Sequence, residues 1–270
     1  GRKGLLTAPA TKIAAQTLGI PVYQFESVKE LSVLESLRKL TPDILAVASF
    51  GQIMPQTLLD IAPRGAINFH WSLLPKYRGA SPIQAAIING DTKTGATIMR
   101  MDAKMDHGDI LFSFEEDIQP EDTADSLYHR LGQKGSLIFP EIIINYVEGK
   151  IIPQPQNHAQ ASFVKLIERE DGRLDPTQKT AAELERMIRA YQPWPGTYLD
   201  IDGKRLKVLS GKEGLARDLP AGTRFIQDRL PAIACKGATN LVLTNVQPEG
   251  KQHMEGKAFL LGKKDWISKL

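Results

Sequence analysis

Cysteine is almost absent from this 270-residue chain. A lone Cys235 cannot close an internal disulfide; it agrees with a reducing compartment and reads as a packed strand residue rather than a nucleophile. Histidine is scarce as well. Five scattered residues beside one cysteine make no metal cluster of recognisable spacing, so no metal is expected. No run approaches the roughly 18 apolar residues of a membrane span, and no membrane partner is expected. The opening Gly1-Arg2-Lys3 lacks a secretory-signal pattern, which makes a cytoplasmic location the expectation. Internal repeats and low-complexity tracts are also missing. What remains, at 42% hydrophobic and 24% charged residues, is ordinary globular composition, with length for one large or two ordinary domains.

Charge is unevenly spread. Up to residue 162 there are 15 Lys and Arg against 17 Asp and Glu; from 163 onward there are 19 against 14. The first part is therefore slightly acidic and the second carries +5. Such an excess suits either a solvated surface or a module that meets a polyanion through clustered Lys and Arg.

The order of elements predicts an α/β protein. Residues 9–18 fit a short helix, since Pro9 suits a first turn and Gly19 a C-terminal cap. Residues 21–25 read as a strand. Ser27 and Glu30 make a capping-box pattern ahead of Leu31, Leu34 and Leu37. The apolar run 44–49 reads as a strand covered on both faces. Strands at 66–70 and 96–101 enclose a helix at 82–88, the alternation of a doubly wound, mostly parallel sheet. A longer strand is expected at 110–118, then a helix over 123–147 interrupted at Pro140. Residues 150–164 lack periodicity and read as a linker or crossing strap. Beyond 165 come a helix at 180–191, a break at Pro193-Trp194-Pro195-Gly196, and five short strands between Gly turns, the spacing of a small antiparallel barrel.

The chemistry concentrates around residues 66–79. Asn68 and His70 sit two apart on an extended backbone, so their side chains share a face at the end of a strand, where open α/β sheets place ligands. An acidic, Gly-containing loop, Met101-Asp102-Ala103-Lys104-Met105-Asp106-His107-Gly108-Asp109, follows about thirty residues later. Asn, His and a carboxylate on neighbouring loops can orient an imidazole and polarise a carbonyl. An isolated Asn-x-His would be a weak signal. The longer string Asn-x-His-x-Ser-Leu-Leu-Pro-x-x-Arg-Gly, followed by Met-Asp-x-x-x-Asp-x-Gly-Asp-Ile-Leu, is far more specific and resembles the folate-dependent formyltransferases. Glu170-Asp171-Gly172-Arg173-Leu174-Asp175, the segment from Ile188 to Tyr198 and Val246-Gln247-Pro248-Glu249-Gly250 resemble the branch that formylates methionyl initiator tRNA.

That resemblance implies catalytic roles for Asn68, His70 and Asp106, and a folate-contacting turn at Ser72, Leu73, Leu74 and Pro75. It implies 10-formyltetrahydrofolate as formyl donor, methionyl initiator tRNA as partner and a monomer. It places loop 50–55 and residues 101–106 beside the pterin, and Arg2 and Lys3 on a loop near the tRNA acceptor end. The implied domains are 1–149 for catalysis, 150–164 as linker and 165–270 as an OB-like tRNA-binding barrel. Judged against that family, a first strand–helix unit of roughly 35 residues is expected ahead of Gly1. Position 71 departs from the pattern, holding Trp71 where the family has a small residue; strand alternation turns it away from His70, toward sheet packing. His107 is expected in an exposed turn, and Trp194 as a packing anchor between modules. Two alternatives stay open: transfer to an amino sugar or other small amine, and a non-catalytic folate- or RNA-binding remnant.

Overall fold

The computed structural model describes residues 7–263 and 265–267, in two compact units. The first takes Gly1–Leu45 and Phe50–Gly65. It contains α1 (Ala10–Thr17), α2 (Leu31–Arg38) and the single turn α3 (Gln56–Leu59). Val28, Leu34 and Leu58 are its buried centre, with Leu37, Leu45, Met54 and Ile61 against them. Two sequence expectations fail here. Residues 21–25 pair with no strand among the described residues, and an extended segment without a ladder partner is not a strand. Ser27 does not cap α2; its Oγ accepts from the Lys29 N–H at 3.3 Å, and Glu30 is the N-cap. Gln52 holds this segment instead, accepting from the Val28 N–H and donating to Glu26 O.

The second unit takes Ala46–Ser49 and Ala66–Leu270. After β1 (Leu45–Ala48) and β2 (Ala66–His70) come the two-residue β3 (Arg78–Gly79), α4 (Pro82–Asn89), β4 (Lys93–Arg100) and β5 (Ile110–Asp117). They build a sheet in the order β1-β2-β4-β5. The β2–β4 and β4–β5 pairs are antiparallel, with His70 opposite Thr97 and Ala96 opposite Phe114. The α/β class stands, and the central strand β4 is buried over six consecutive residues. At the end of the strand order, β1 alternates half-buried and exposed residues rather than being covered on both faces.

Helix α5 (Ala124–Val147) runs unbroken through Pro140. Leu127, Leu131, Gly135 and Ile142 are buried along it, and that packing outweighs one missing backbone bond. Gly135 is required by the close approach of the Phe69 ring, which an added Cβ would strike. Thr123 and Ser126 exchange hydrogen bonds at the helix start. Asp122, just before it, is buried yet ionised. Burial alone would raise its pKa, but hydrogen bonds from Arg130, Ser126 and the Gln119 N–H outweigh that and lower it to about 2. A depressed carboxylate contributes stability that is present above its unfolded pKa of 3.8 and lost as pH falls through about 2. Arg130→Met should therefore cost about 2 kcal/mol at neutral pH. The gap to the parent should close in urea denaturation repeated between pH 4 and pH 2; a gap independent of pH would show that Asp122 is not the group involved.

Residues 150–164 form a strap that pairs with two separate segments. Gln154 exchanges backbone hydrogen bonds with Ile110, and β6 (Phe163–Val164) pairs in parallel with β3. Helix α6 (Ala181–Ala190) follows, capped reciprocally by Thr180 and Glu183. The second sheet runs β7 (Thr197–Ile201), β8 (Lys204–Glu213), β11 (Thr239–Pro248), β10 (Leu230–Cys235) and β9 (Arg224–Gln227), and β12 (Met254–Glu255) pairs with β11. These strands pair antiparallel with one another, and the path is open from β7 to β9 among the described residues. Leu184, Met187 and Ile188 of α6 pack with Val208, Ile233 and Leu241 of this sheet. Cys235 is buried in β10, and desolvation pushes its thiol up to about 12, as befits a packing residue. The sequence reading misses β12 and α7 (Gly256–Leu261), both too short for a periodic signal. Arg186 Nε donates to Ile88 O and Arg189 Nη1 to Asp122 O, joining α6 to the earlier half. No helix among the described residues is long and apolar enough to cross a membrane.

Candidate active site

Strand β2 sets the centre. Its odd and even positions face opposite ways, so Asn68 and His70 share one side while Phe69 and Trp71 share the other. His70 is 4% exposed. Its Nε2 lies 3.0 Å from Tyr77 O, and a carbonyl can only accept, so Nε2 carries a proton. Nδ1 is then the atom turned toward Asp106, whose Oδ1 is 3.6 Å away. This separation is too long for a hydrogen bond. Asn68 is half-buried, and its side-chain amide bonds to no other described residue, which leaves its donors available.

Asp106 is fixed from two directions. Oδ2 accepts from the Gly79 N–H at 2.8 Å, and its carbonyl accepts from Gln156 Nε2 at 3.0 Å. The same Nε2 donates to Gly108 O at 2.7 Å. Gln156 Oε1 in turn accepts from Arg78 Nε and Nη2, at 3.2 and 2.6 Å. Gly79 has a φ of 112°, and an added Cβ there would run into Val164 O, so only glycine lets β3 lie against β6. The strap also supplies Ser162, whose Oγ accepts from the Tyr77 N–H at 2.8 Å. The sequence reading expects a site at Asn68, His70 and Asp106, of which the structure sets His70 opposite Asp106, and it misses the contacts of Gln156, Arg78 and Gly79 around Asp106. Strap residues carry no periodic pattern, so only the Arg-Gly pair within the longer motif hinted at them.

Comparison with known proteins decides what this constellation belongs to. The family described as "Formyl transferase" matches residues 1–143, and "Formyl transferase, C-terminal domain" matches residues 166–264. The chain belongs to the formyl transferase family. A protein of Anaeromyxobacter sp. (strain K) named methionyl-tRNA formyltransferase is 41% identical over 93% of this chain and 81% of its own length. A protein of the same name from Desulfotalea psychrophila is 39% identical over 98% of this chain and 82% of its own. Among solved structures, HypX from Aquifex aeolicus in complex with tetrahydrofolic acid superposes with a TM-score of 0.63 at 18% identity, covering 85% of this chain and 40% of that one. An N-formyltransferase from Helicobacter canadensis, in complex with folinic acid and dTDP-3-aminofucose, gives 0.63 at 20% identity over 87% and 81%. At those identities the likeness concerns the fold.

In this formyl transferase the turn after β2 is internally braced. Ser72 Oγ donates to Lys76 O at 2.6 Å, and Thr97 Oγ1 donates to Ser72 O while accepting from the Leu74 N–H. Ser72 and Leu74 are buried, whereas Leu73 and Pro75 are half-buried. Trp71 packs as strand alternation predicts: its ring stacks on Tyr128 at 4.3 Å, meets Phe69 edge-on, and Nε1 donates to Ser49 Oγ. His107 corrects the sequence expectation, being half-buried rather than exposed. Its ring stacks on His158 at 4.0 Å and Nδ1 donates to Asp102 Oδ2. Desolvation, then the charges of His107, Arg78 and Lys104, lower the His158 pKa, in keeping with a neutral Nδ1 that accepts from Arg78 Nη2. Trp194 is 52% exposed, not an anchor between modules. Loop 50–55 belongs to the first compact unit, and Arg2 and Lys3 lie outside the described residues. No group of three or more His, Cys, Asp or Glu among the described residues could hold a metal ion.

Proposed function

We propose that this formyl transferase moves the formyl group of 10-formyltetrahydrofolate to the α-amino group of methionyl initiator tRNA, for translation initiation in the cytoplasm. The observation that carries the reading is the roughly 40% identity to proteins of that name across both halves of the chain. In this reading residues 1–149 perform the transfer, 150–164 brace the site and 165–270, with their excess of positive charge, hold the tRNA.

The transfer must move one proton. The amine attacks the formyl carbon, its carbonyl oxygen becomes an oxyanion, and the bond to the folate nitrogen then breaks. The proton lost by the attacking nitrogen ends on the folate nitrogen. Asn68 Nδ2, with no hydrogen-bond partner among the described residues, donates to the developing oxyanion. His70 acts through Nδ1, since Nε2 is held by Tyr77 O. Asp106, 3.6 Å from Nδ1, stabilises the ring's positive charge and helps carry the proton between the two nitrogens. Ser72 and Leu74 shape the folate turn from inside, and Leu73 and Pro75 present its surface to the folate.

Purified protein given 10-formyltetrahydrofolate and either charged initiator tRNA or a nucleotide-linked amino sugar should produce formylmethionyl-tRNA in the first case only. Formylated sugar with no formylated tRNA would overturn the reading.

A further inference from the structure

The strap between the two family-matched segments carries no group placed near the reacting atoms, yet one of its side chains reaches under the Asp106 loop. We infer that Gln156 is a positioning residue, whose single amide sets the place of the Asp106 carboxylate opposite His70. This rests on the catalytic role proposed above for that pair.

The geometry leaves Gln156 little freedom. It is 5% exposed. Its amide nitrogen donates to Asp106 O and Gly108 O, so both ends of the turn containing Asp106 and His107 are tied to one atom. The amide cannot flip, because the opposite oxygen accepts from two nitrogens of the buried Arg78, which have only protons to offer. Arg78 is followed directly by Gly79, whose N–H holds Asp106 Oδ2. The Asp106 backbone and side chain are thus referred to adjacent residues of β3, one through Gln156 and one directly. Asp106 has φ of 48°, a conformation that a non-glycine residue keeps only where neighbours impose it. The 3.6 Å separation from His70 Nδ1 leaves the pair sensitive to a small shift of this loop. A misplacement of about 1 Å in such a site can lower turnover by about a hundredfold.

Gln156→Glu separates positioning from plain stability. A glutamate keeps the shape and pairs with Arg78, but it cannot donate to the two carbonyls. The variant should unfold cooperatively at a lower temperature than the parent, because two carbonyls lose their donor, and should keep the parent's affinity for tetrahydrofolate. Its kcat with charged tRNA should fall by about 10- to 100-fold, with KM for the tRNA little changed. Gln154→Ala, in the same strap with an exposed side chain that donates to Ile152 O, is the control and should match the parent. A second readout does not need turnover: the His70 ring ¹⁵N shifts should move in Gln156→Glu and stay put in Gln154→Ala. Parental kcat and unmoved His70 shifts in Gln156→Glu would overturn the inference. A parent inactive on charged tRNA would overturn the proposed function instead, and the His70 shifts would still decide the role of Gln156. Should Gln156→Glu fail to fold, Gln156→Met, which removes all polar contacts without adding charge, is measured the same way.

Discussion

Asp106→Asn should lower kcat by about 10²- to 10⁴-fold, the range of a lost general acid–base partner, while the folate affinity stays close to the parent's. The substitution is close to isosteric. An asparagine oxygen can still accept from the Gly79 N–H, and the main-chain bond from Gln156 Nε2 is untouched. What disappears is the negative charge 3.6 Å from His70 Nδ1. That charge acts on the ring as it takes up the proton during transfer, so the loss falls on kcat. Single-turnover transfer with charged tRNA, paired with calorimetric folate titration, separates the two quantities. If binding and turnover fall together, Asp106 only shapes its loop.

His70→Ala should have the larger chemical effect and a visible structural one. Removing the imidazole removes the proton-accepting Nδ1 together with its link to Asp106, and transfer should fall to background. Tyr77 O also loses the partner it has in a buried setting. An unsatisfied buried carbonyl costs about 1–3 kcal/mol, so the denaturation midpoint should drop without loss of cooperativity. His70→Gln should recover part of the stability and none of the turnover, if its amide reaches the same carbonyl. A His70→Ala variant that still formylates charged tRNA would remove His70 from the mechanism.

The reach of the sequence differs from one part of the molecule to another. The Asn-x-His pair was legible because strand alternation is a two-residue rule: once 66–70 is extended, Asn68 and His70 must share a face. Helices α5 and α6 were legible at their starts, where Thr123 and Thr180 carry their caps, but Pro140 misled, since a local preference yields to packing of an entire helix face. Ser27 misled in the same way: its hydroxyl bonds to Lys29, a nearer partner that a pattern cannot weigh.

Composition and motif by themselves determined the class of this protein. They pointed to an α/β half followed by an antiparallel half and to the formyl transferase family, and they named Asn68, His70 and Asp106 as the candidates. Only the tertiary structure decided which nitrogen of His70 is free, because that depends on a carbonyl seven residues away across a turn. It also decided how Asp106 is held. Gln156 lies fifty residues beyond Asp106 in a stretch with no periodicity, and Arg78 lies twenty-eight before it; they meet because β6 of the strap pairs with β3. Local patterns report what neighbours along the chain prefer. The position of the Asp106 carboxylate is set by hydrogen-bond donors from distant segments, and these meet where the strap pairs with β3.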